Sequence, residues 1–252
     1  MAFSKRQLVI AARLAAAAGA CLFRGKARAV SWAAHDALWL YPTLRRNCSW
    51  HGPVVTRFQT SAKEVWLTID DGPDERDTPE MLDVLARHRA RATFFVIGQK
   101  VRAHPHLCRR ILAEGHSLGN HTQSHPAPYW WILPRPFVHR EIARCNASIL
   151  SVTGSKPRWF RSPVGMTSTA VHPAAEREGL QVVGWSADGR DGCPAAPTRI
   201  IERIGARLRP GAILLLHESG RSRHRVLTLS RLLDFLAERG YRCVLPSPES
   251  LQ

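Results

Sequence analysis

The chain has 252 residues and 44% hydrophobic content, ordinary for a globular protein with a real core, so one large domain or two small ones fit. Its formal charge of +16 favours polyanionic partners: nucleic acid, an anionic membrane face or an acidic glycan. Six cysteines lie far apart with no C-x-x-C pair, which argues against a zinc ribbon and a thioredoxin-type site.

Residues 1–50 read as a basic and apolar appendage. Lys5 and Arg6 precede an Ala/Leu-rich run over 8–23, and Arg24, Lys26 and Arg28 follow it. Trp32, Trp39 and Tyr41 then lie in a weakly amphipathic stretch ending at Pro42. The outline is that of a signal anchor or a membrane-associated helix. Arg13 interrupts the apolar run, and the remaining segment, 14–23, is too short to span a bilayer. The expectation is a membrane-associated or exported protein of a bacterial-type cell envelope, with an anionic membrane surface as a partner of the N-terminus and a cytoplasmic location left open.

From about residue 53 short apolar runs alternate with amphipathic helices. Strands are predicted at 65–69, 93–97, 116–119, 158–161, 181–185, 212–217 and 241–245. Helices are predicted at 78–88, with Thr78 as N-cap, and at 105–114, 137–152, 168–178, 197–208 and 225–239. Seven strands alternating with six helices imply right-handed crossovers and a parallel sheet. With no G-x-G-x-x-G after the first strand, a barrel is favoured over an open dinucleotide-binding sheet. Cys108 and Cys145 fall in helical patterns, where a buried free thiol is expected.

The first strand runs straight into Asp70-Asp71-Gly72-Pro73. Two adjacent carboxylates repel, so at least one needs a cation or metal beside it. In parallel α/β folds catalytic groups gather at carboxyl ends of strands, and later strand ends here carry useful side chains. The rim so formed collects Asp70, Asp71, His121, His125, Arg161, Asp188, Asp191 and His217. A carboxylate with two imidazoles suits a divalent metal such as zinc, with positions left for water and substrate. The base of a zincin protease, H-E-x-x-H, is missing.

These residues carry a resemblance. From about 55 to 245 the chain resembles the polysaccharide deacetylase family, the NodB-homology or carbohydrate esterase family 4 domain, placing the domain itself at 51–252. Five motifs stand in order: Thr68-Ile69-Asp70-Asp71-Gly72-Pro73, His121-Thr122-Gln123-Ser124-His125, Arg161-Ser162-Pro163-Val164-Gly165, Asp188-Gly189-Arg190-Asp191 and Leu215-Leu216-His217. The resemblance implies a distorted (β/α) barrel of seven or eight units and metal-dependent removal of an acyl group from an N-acylated sugar. It makes Asp71, His121 and His125 the ligands of a divalent ion, zinc first among them. Asp70 becomes the general base, Arg161 its partner, His217 the general acid and Asp191 the residue that orients and charges it. A backbone N–H near Val164 would help hold the oxyanion.

Two positions depart from the family pattern. Gly192 stands where an aromatic is usual, which opens one wall of the groove, and Val164 stands where Tyr is common. The expected activity is N-deacetylation of an amino sugar in a glycan, with no nucleic acid as partner. The alternatives are a deformylase or deacetylase of a small or lipid-linked amino sugar at the membrane, and a non-catalytic polyanion binder. Tyr129, Trp130 and Trp131, just after the second motif, are either sugar-stacking residues or a packed loop cap.

Overall fold

The computed structural model describes residues 5–219 and 224–251, with Lys5 and Arg6 described in backbone alone. Two helices come first: α1 (Lys5–Leu22) and α2 (Gly25–Leu44), the second running through Pro42 rather than stopping there. The barrel follows as β1 (Glu64–Gly72), α3 (Asp77–Arg87), β2 (Ala92–Val96), α4 (Gly98–Ala103), α5 (Pro105–Ala113), β3 (Ser117–Asn120), α6 (Arg135–Thr153) and β4 (Trp159–Phe160). It continues with α7 (Val171–Arg177), β5 (Gln181–Val182), β6 (Ala187–Asp188), α8 (Pro197–Gly205), β7 (Ala212–His217), α9 (Arg225–Glu238) and β8 (Arg242–Cys243).

Every strand pair is parallel, in the order β5-β4-β3-β2-β1-β7-β6, with β8 against the start of β1. β5 and β6 are the two ends of one extended run. Its first residues pair with β4 and its last with β7, so the sheet curls on itself with seven strand positions. This is the distorted (β/α) barrel that the family resemblance implies, and it agrees with the barrel that the alternation favours.

The parity of β1 explains how the barrel acquires a reactive interior. Successive side chains of a strand point to opposite faces. Val65, Leu67 and Ile69 face the helices and join the main apolar core with Met81, Leu85, Leu229 and Leu232. Trp66 faces inward with Phe95, Trp185 and Leu215. The inward set continues as Thr68, whose hydroxyl donates to Leu214 O at 2.7 Å, and then Asp70. β7 repeats the pattern: Ala212, Leu214 and Leu216 outward, Ile213 and Leu215 inward, then His217. Since Asp70 and His217 are register partners, the same parity delivers an acid and an imidazole to one rim. A slip of one residue would bury both among the helices.

The helices cover the outer faces by ordinary amphipathic spacing. α6 buries Val138, Ile142, Cys145 and Ile149, and α9 buries Leu229, Leu232, Leu233 and Leu236. All six cysteines are free thiols; Cys108 and Cys145 are buried, as their helical positions suggest.

Some predicted boundaries move for identifiable reasons. The strand expected at 181–185 splits because a segment before β1 takes over: Gly184 N donates to Val55 O and Val55 N to Val182 O. Thr78 is not an N-cap. α3 starts a residue earlier, Asp74 Oδ1 accepts the Arg76 and Asp77 amides at 3.0 and 3.1 Å, and the Thr78 hydroxyl donates to Glu218. α4 escaped notice because six residues are too few to show a period.

Candidate active site

The ends of β1, β3, β4, β6 and β7 surround a cleft of about 700 Å³ lined by Asp70, Asp71, His121, His125, Val164, Trp185, Asp188, Gly192, Leu215 and His217, among others. Five residues in or beside its wall hold left-handed backbone: Asp71 (φ 75°), Thr122 (φ 69°), His125 (φ 53°), Val164 (φ 58°) and Arg190 (φ 57°). Such backbone is costly for a side-chain-bearing residue, most of all for β-branched Val and Thr, and clusters at functional sites.

Asp71, His121 and His125 form the one group among the described residues with metal-ligand geometry. One donor atom from each lies within 4.8 Å of the others. His121 Nε2 and His125 Nε2 each stand 3.5 Å from Asp71 Oδ1, and the two rings are 4.8 Å apart. His121 Nδ1 is taken by the Arg161 carbonyl at 2.7 Å, so as donor there it turns a bare Nε2 to the centre. Asp71 Oδ1 is buried without a hydrogen bond. An orphaned carboxylate oxygen between two imidazole nitrogens is what an ion-binding set looks like, so the residues fit a divalent metal.

Electrostatics agree with that fit. Burial works against ionising Asp71, yet the neighbouring imidazoles of His121, His217 and His125 hold its pKa well below the usual carboxylate range. Burial and the proximity of His121 push His125 down to about 4, leaving its lone pair free at neutral pH. His121 goes the other way: burial opposes its charge, but Asp70 and Asp71 raise its pKa. The carboxylates thus draw positive charge to this point, and a cation can take the place of the proton.

Asp70 is buried beside this group. Its Oδ1 accepts from Arg161 Nη1 at 2.7 Å, and its Oδ2 lies 3.7 Å from His121 Nε2. Arg161 is fully buried. It also donates to Thr68 Oγ1 at 2.6 Å, Gly184 O at 2.8 Å and Val183 O at 3.2 Å, with its guanidinium 4.2 Å from the Phe95 ring centroid. A guanidinium held by that many partners fixes the orientation of the carboxylate it pairs with.

On the opposite side His217 Nδ1 and backbone N each meet Asp191, at 2.8 Å to Oδ1 and 2.8 Å to Oδ2. Burial opposes charging of the ring, but Asp191, with Asp70 and Asp71 behind it, raises its pKa to about 10. Asp188, the other carboxylate of the fourth motif, does not share this contact: it meets Arg46 at 3.7 Å and accepts from the Arg190 amide at 2.6 Å. The wall at Gly192 is open as expected, since a Cβ added there meets nothing nearer than His217 Cε1 at 4.0 Å.

The aromatics after the second motif divide. Trp130 is buried, donating to Ser162 Oγ at 2.6 Å and packing on Phe160, so it belongs to the loop cap. Trp131 packs on Trp39 at 6.0 Å, and none of the three lines the cleft. Sequence reasoning missed three contributors. Arg46 reaches the cleft from just beyond α2, anchored because Asn47 N donates to Gly165 O and Asn47 Nδ2 to Trp185 O, both at 2.9 Å. Lys100 donates to Asp71 O and Ser219 Oγ at 2.7 Å each, bracing the strained turn. Glu218 is buried under the same turn, and a Cβ on Gly72 would sit 1.5 Å from its Oε1, which explains the glycine after the paired aspartates. Only Glu218 had a signal, an acid directly after a strand-end histidine.

A curled parallel barrel whose rim holds a two-histidine, one-carboxylate set between a buried Asp–Arg pair and an Asp–His pair defines a hydrolase site. Comparison agrees: the polysaccharide deacetylase family profile matches residues 58–183. A chitooligosaccharide deacetylase of Sinorhizobium fredii is 38% identical over 74% of this chain and 92% of its own. A peptidoglycan-N-acetylglucosamine deacetylase of Bacillus cereus is 34% identical over 81% of this chain and 96% of its own. The solved structure of a carbohydrate esterase family 4 pseudoenzyme from Bacillus anthracis superposes with a TM-score of 0.69 at 26% identity, covering 76% of this chain and 66% of that one. The chain belongs to the polysaccharide deacetylase family, hydrolases of carbon–nitrogen bonds outside peptides. Since the fold also occurs in a pseudoenzyme, the residues of the rim must carry the argument for chemistry.

Proposed function

We propose that this protein is a metal-dependent N-deacetylase of N-acetylglucosamine residues in a chitooligosaccharide or peptidoglycan-type glycan. The observation that carries the reading is the meeting, in one cleft, of the Asp71–His121–His125 set with Asp70 on one side and His217 on the other. Relatives that act on such glycans at 34–38% identity support the substrate class.

Asp71, His121 and His125 would hold the ion, and the nitrogen–oxygen donor set suits zinc. When bound, the ion supplies Lewis acidity that makes water a nucleophile near neutral pH and polarises the acyl carbonyl. Asp70, oriented by Arg161, takes the proton of the attacking water. Val164, fixed in its strained turn at the cleft wall, is positioned to offer a backbone donor to the oxyanion. His217, charged through its contact with Asp191, delivers a proton to the departing amine nitrogen, and the glycan leaves as a free amino sugar with acetate as co-product.

One observation favours a lipid-linked sugar within this same chemistry: the cleft is partly walled by Arg46, directly after the apolar α1–α2 segment. The test is acetate and formate release from N-acetylglucosamine oligomers and peptidoglycan fragments, with and without chelator. Chelator-sensitive acetate release supports the reading. Formate release in place of acetate, or release indifferent to chelator, would overturn it.

A further inference from the structure

We infer that the α1–α2 hairpin is a binding device that lies on an anionic lipid bilayer and sets the catalytic cleft at its surface. On α1, Ile10, Leu14, Ala18 and Leu22 recur every fourth residue, and all four are exposed. They form an apolar stripe about 18 Å long at the rise of an α-helix. Leu14 is 67% and Leu22 80% exposed, and Phe23 at the bend, 53% exposed, follows the stripe directly. A soluble protein rarely leaves a row of apolar side chains along one helix uncovered.

The charges say what covers it. Residues 7–44 hold four cations, Arg13, Arg24, Lys26 and Arg28, against one carboxylate, Asp36. Arg24, Lys26 and Arg28 follow the bend directly, so an apolar wedge at Leu22–Phe23 stands beside three exposed cations. That pairing suits acyl chains beneath anionic headgroups. A second copy is the poorer occupant, because each chain carries +16. The mode is interfacial: among the described residues no helix is long and apolar enough to cross a membrane.

The hairpin is built as a unit and is joined to the site. Gly19 lets the helices approach, since a Cβ there would meet Ser31 Oγ at 3.0 Å. At its base Trp39 packs on Trp131, in the loop that follows His125, and Thr43 Oγ1 donates to Trp39 O at 2.7 Å. Arg46, two residues past α2, already lines the cleft. A hairpin seated on lipid therefore fixes the cleft near the headgroups, within reach of a glycan carried there.

The experiment is co-sedimentation of the full chain with vesicles of phosphatidylcholine alone and of phosphatidylcholine mixed with phosphatidylglycerol, at low and high salt. Three cations at the surface predict binding to the anionic vesicles on the order of a hundredfold tighter, weakened by salt. Leu22→Asp and Phe23→Asp should abolish binding while leaving turnover of a soluble oligosaccharide unchanged. Arg24→Glu with Lys26→Glu and Arg28→Glu should remove the preference for anionic lipid, with folding checked by circular dichroism. Absence of binding to both vesicles, or binding indifferent to these changes, overturns the inference. Dimers in light scattering that Leu22→Asp dissociates would overturn it in favour of a second copy. Lipid binding is read without turnover, so its failure is separate from failure of the deacetylase reading.

Discussion

Asp191 and Arg161 do not line the cleft, yet each pairs with a residue that does. Asp191 holds His217 charged to about pH 10, a raised histidine pKa. The acid form is therefore present through neutral pH, and kcat/KM should fall on the alkaline side as that proton is lost. Asp191→Asn should move that alkaline limb to lower pH by about 1–3 pH units, which a pH–rate profile reads. For folding the sign is the same: the pair stabilises fully below the ordinary histidine pKa, and the contribution fades as pH rises through about 10. Arg161→Leu should be worse than inactive. It leaves Asp70 buried without a counter-charge, a change that costs about 3–5 kcal/mol and is measurable by denaturant unfolding. Asp70→Asn removes the proposed base, so kcat should drop about 10²–10⁴-fold, and because it leaves Arg161 buried without its carboxylate the melting temperature should fall as well.

The elements were legible where their periodicity is strong. β1, β2 and β7 read directly because an unbroken apolar run is what a strand covered on both faces needs, and the rim residues fall at their ends for that reason. Parity within β1 and β7, not the motifs alone, accounts for Asp70 and His217 sharing a face. Legibility failed where long-range contacts decide. Nothing local says that residues around Val55 will interrupt the strand at 181–185, or that Asn47 will lock Arg46 into the cleft wall. Trp130 looked equally like a sugar platform and a loop cap, because an indole satisfies its N–H equally well in either place; Ser162 settles it as cap. Trp130→Ala should consequently lower stability, by about 3–5 kcal/mol, before it alters KM. Thermal unfolding beside steady-state kinetics separates the two effects.

At the scale of the whole molecule, a curled barrel gathers the carboxyl ends of its strands around one cleft, and the region before it supplies both a cleft residue and an unpartnered apolar surface. Of the cations behind the charge of +16, which as a sequence property points to any polyanion, three stand beside the hairpin bend. The open wall at Gly192 belongs to this scale too, since a Cβ there meets nothing nearer than His217 Cε1 at 4.0 Å and the cleft stays wide on that side. The proposed chemistry depends above all on Asp71, His121 and His125 holding a catalytic ion. Elemental analysis of the purified wild type beside the His121→Ala/His125→Ala double variant tests it most directly. The account predicts one divalent ion per chain in the wild type and none in the folded variant. A wild type that takes up no ion when zinc is supplied, or a variant that retains it, would contradict the account.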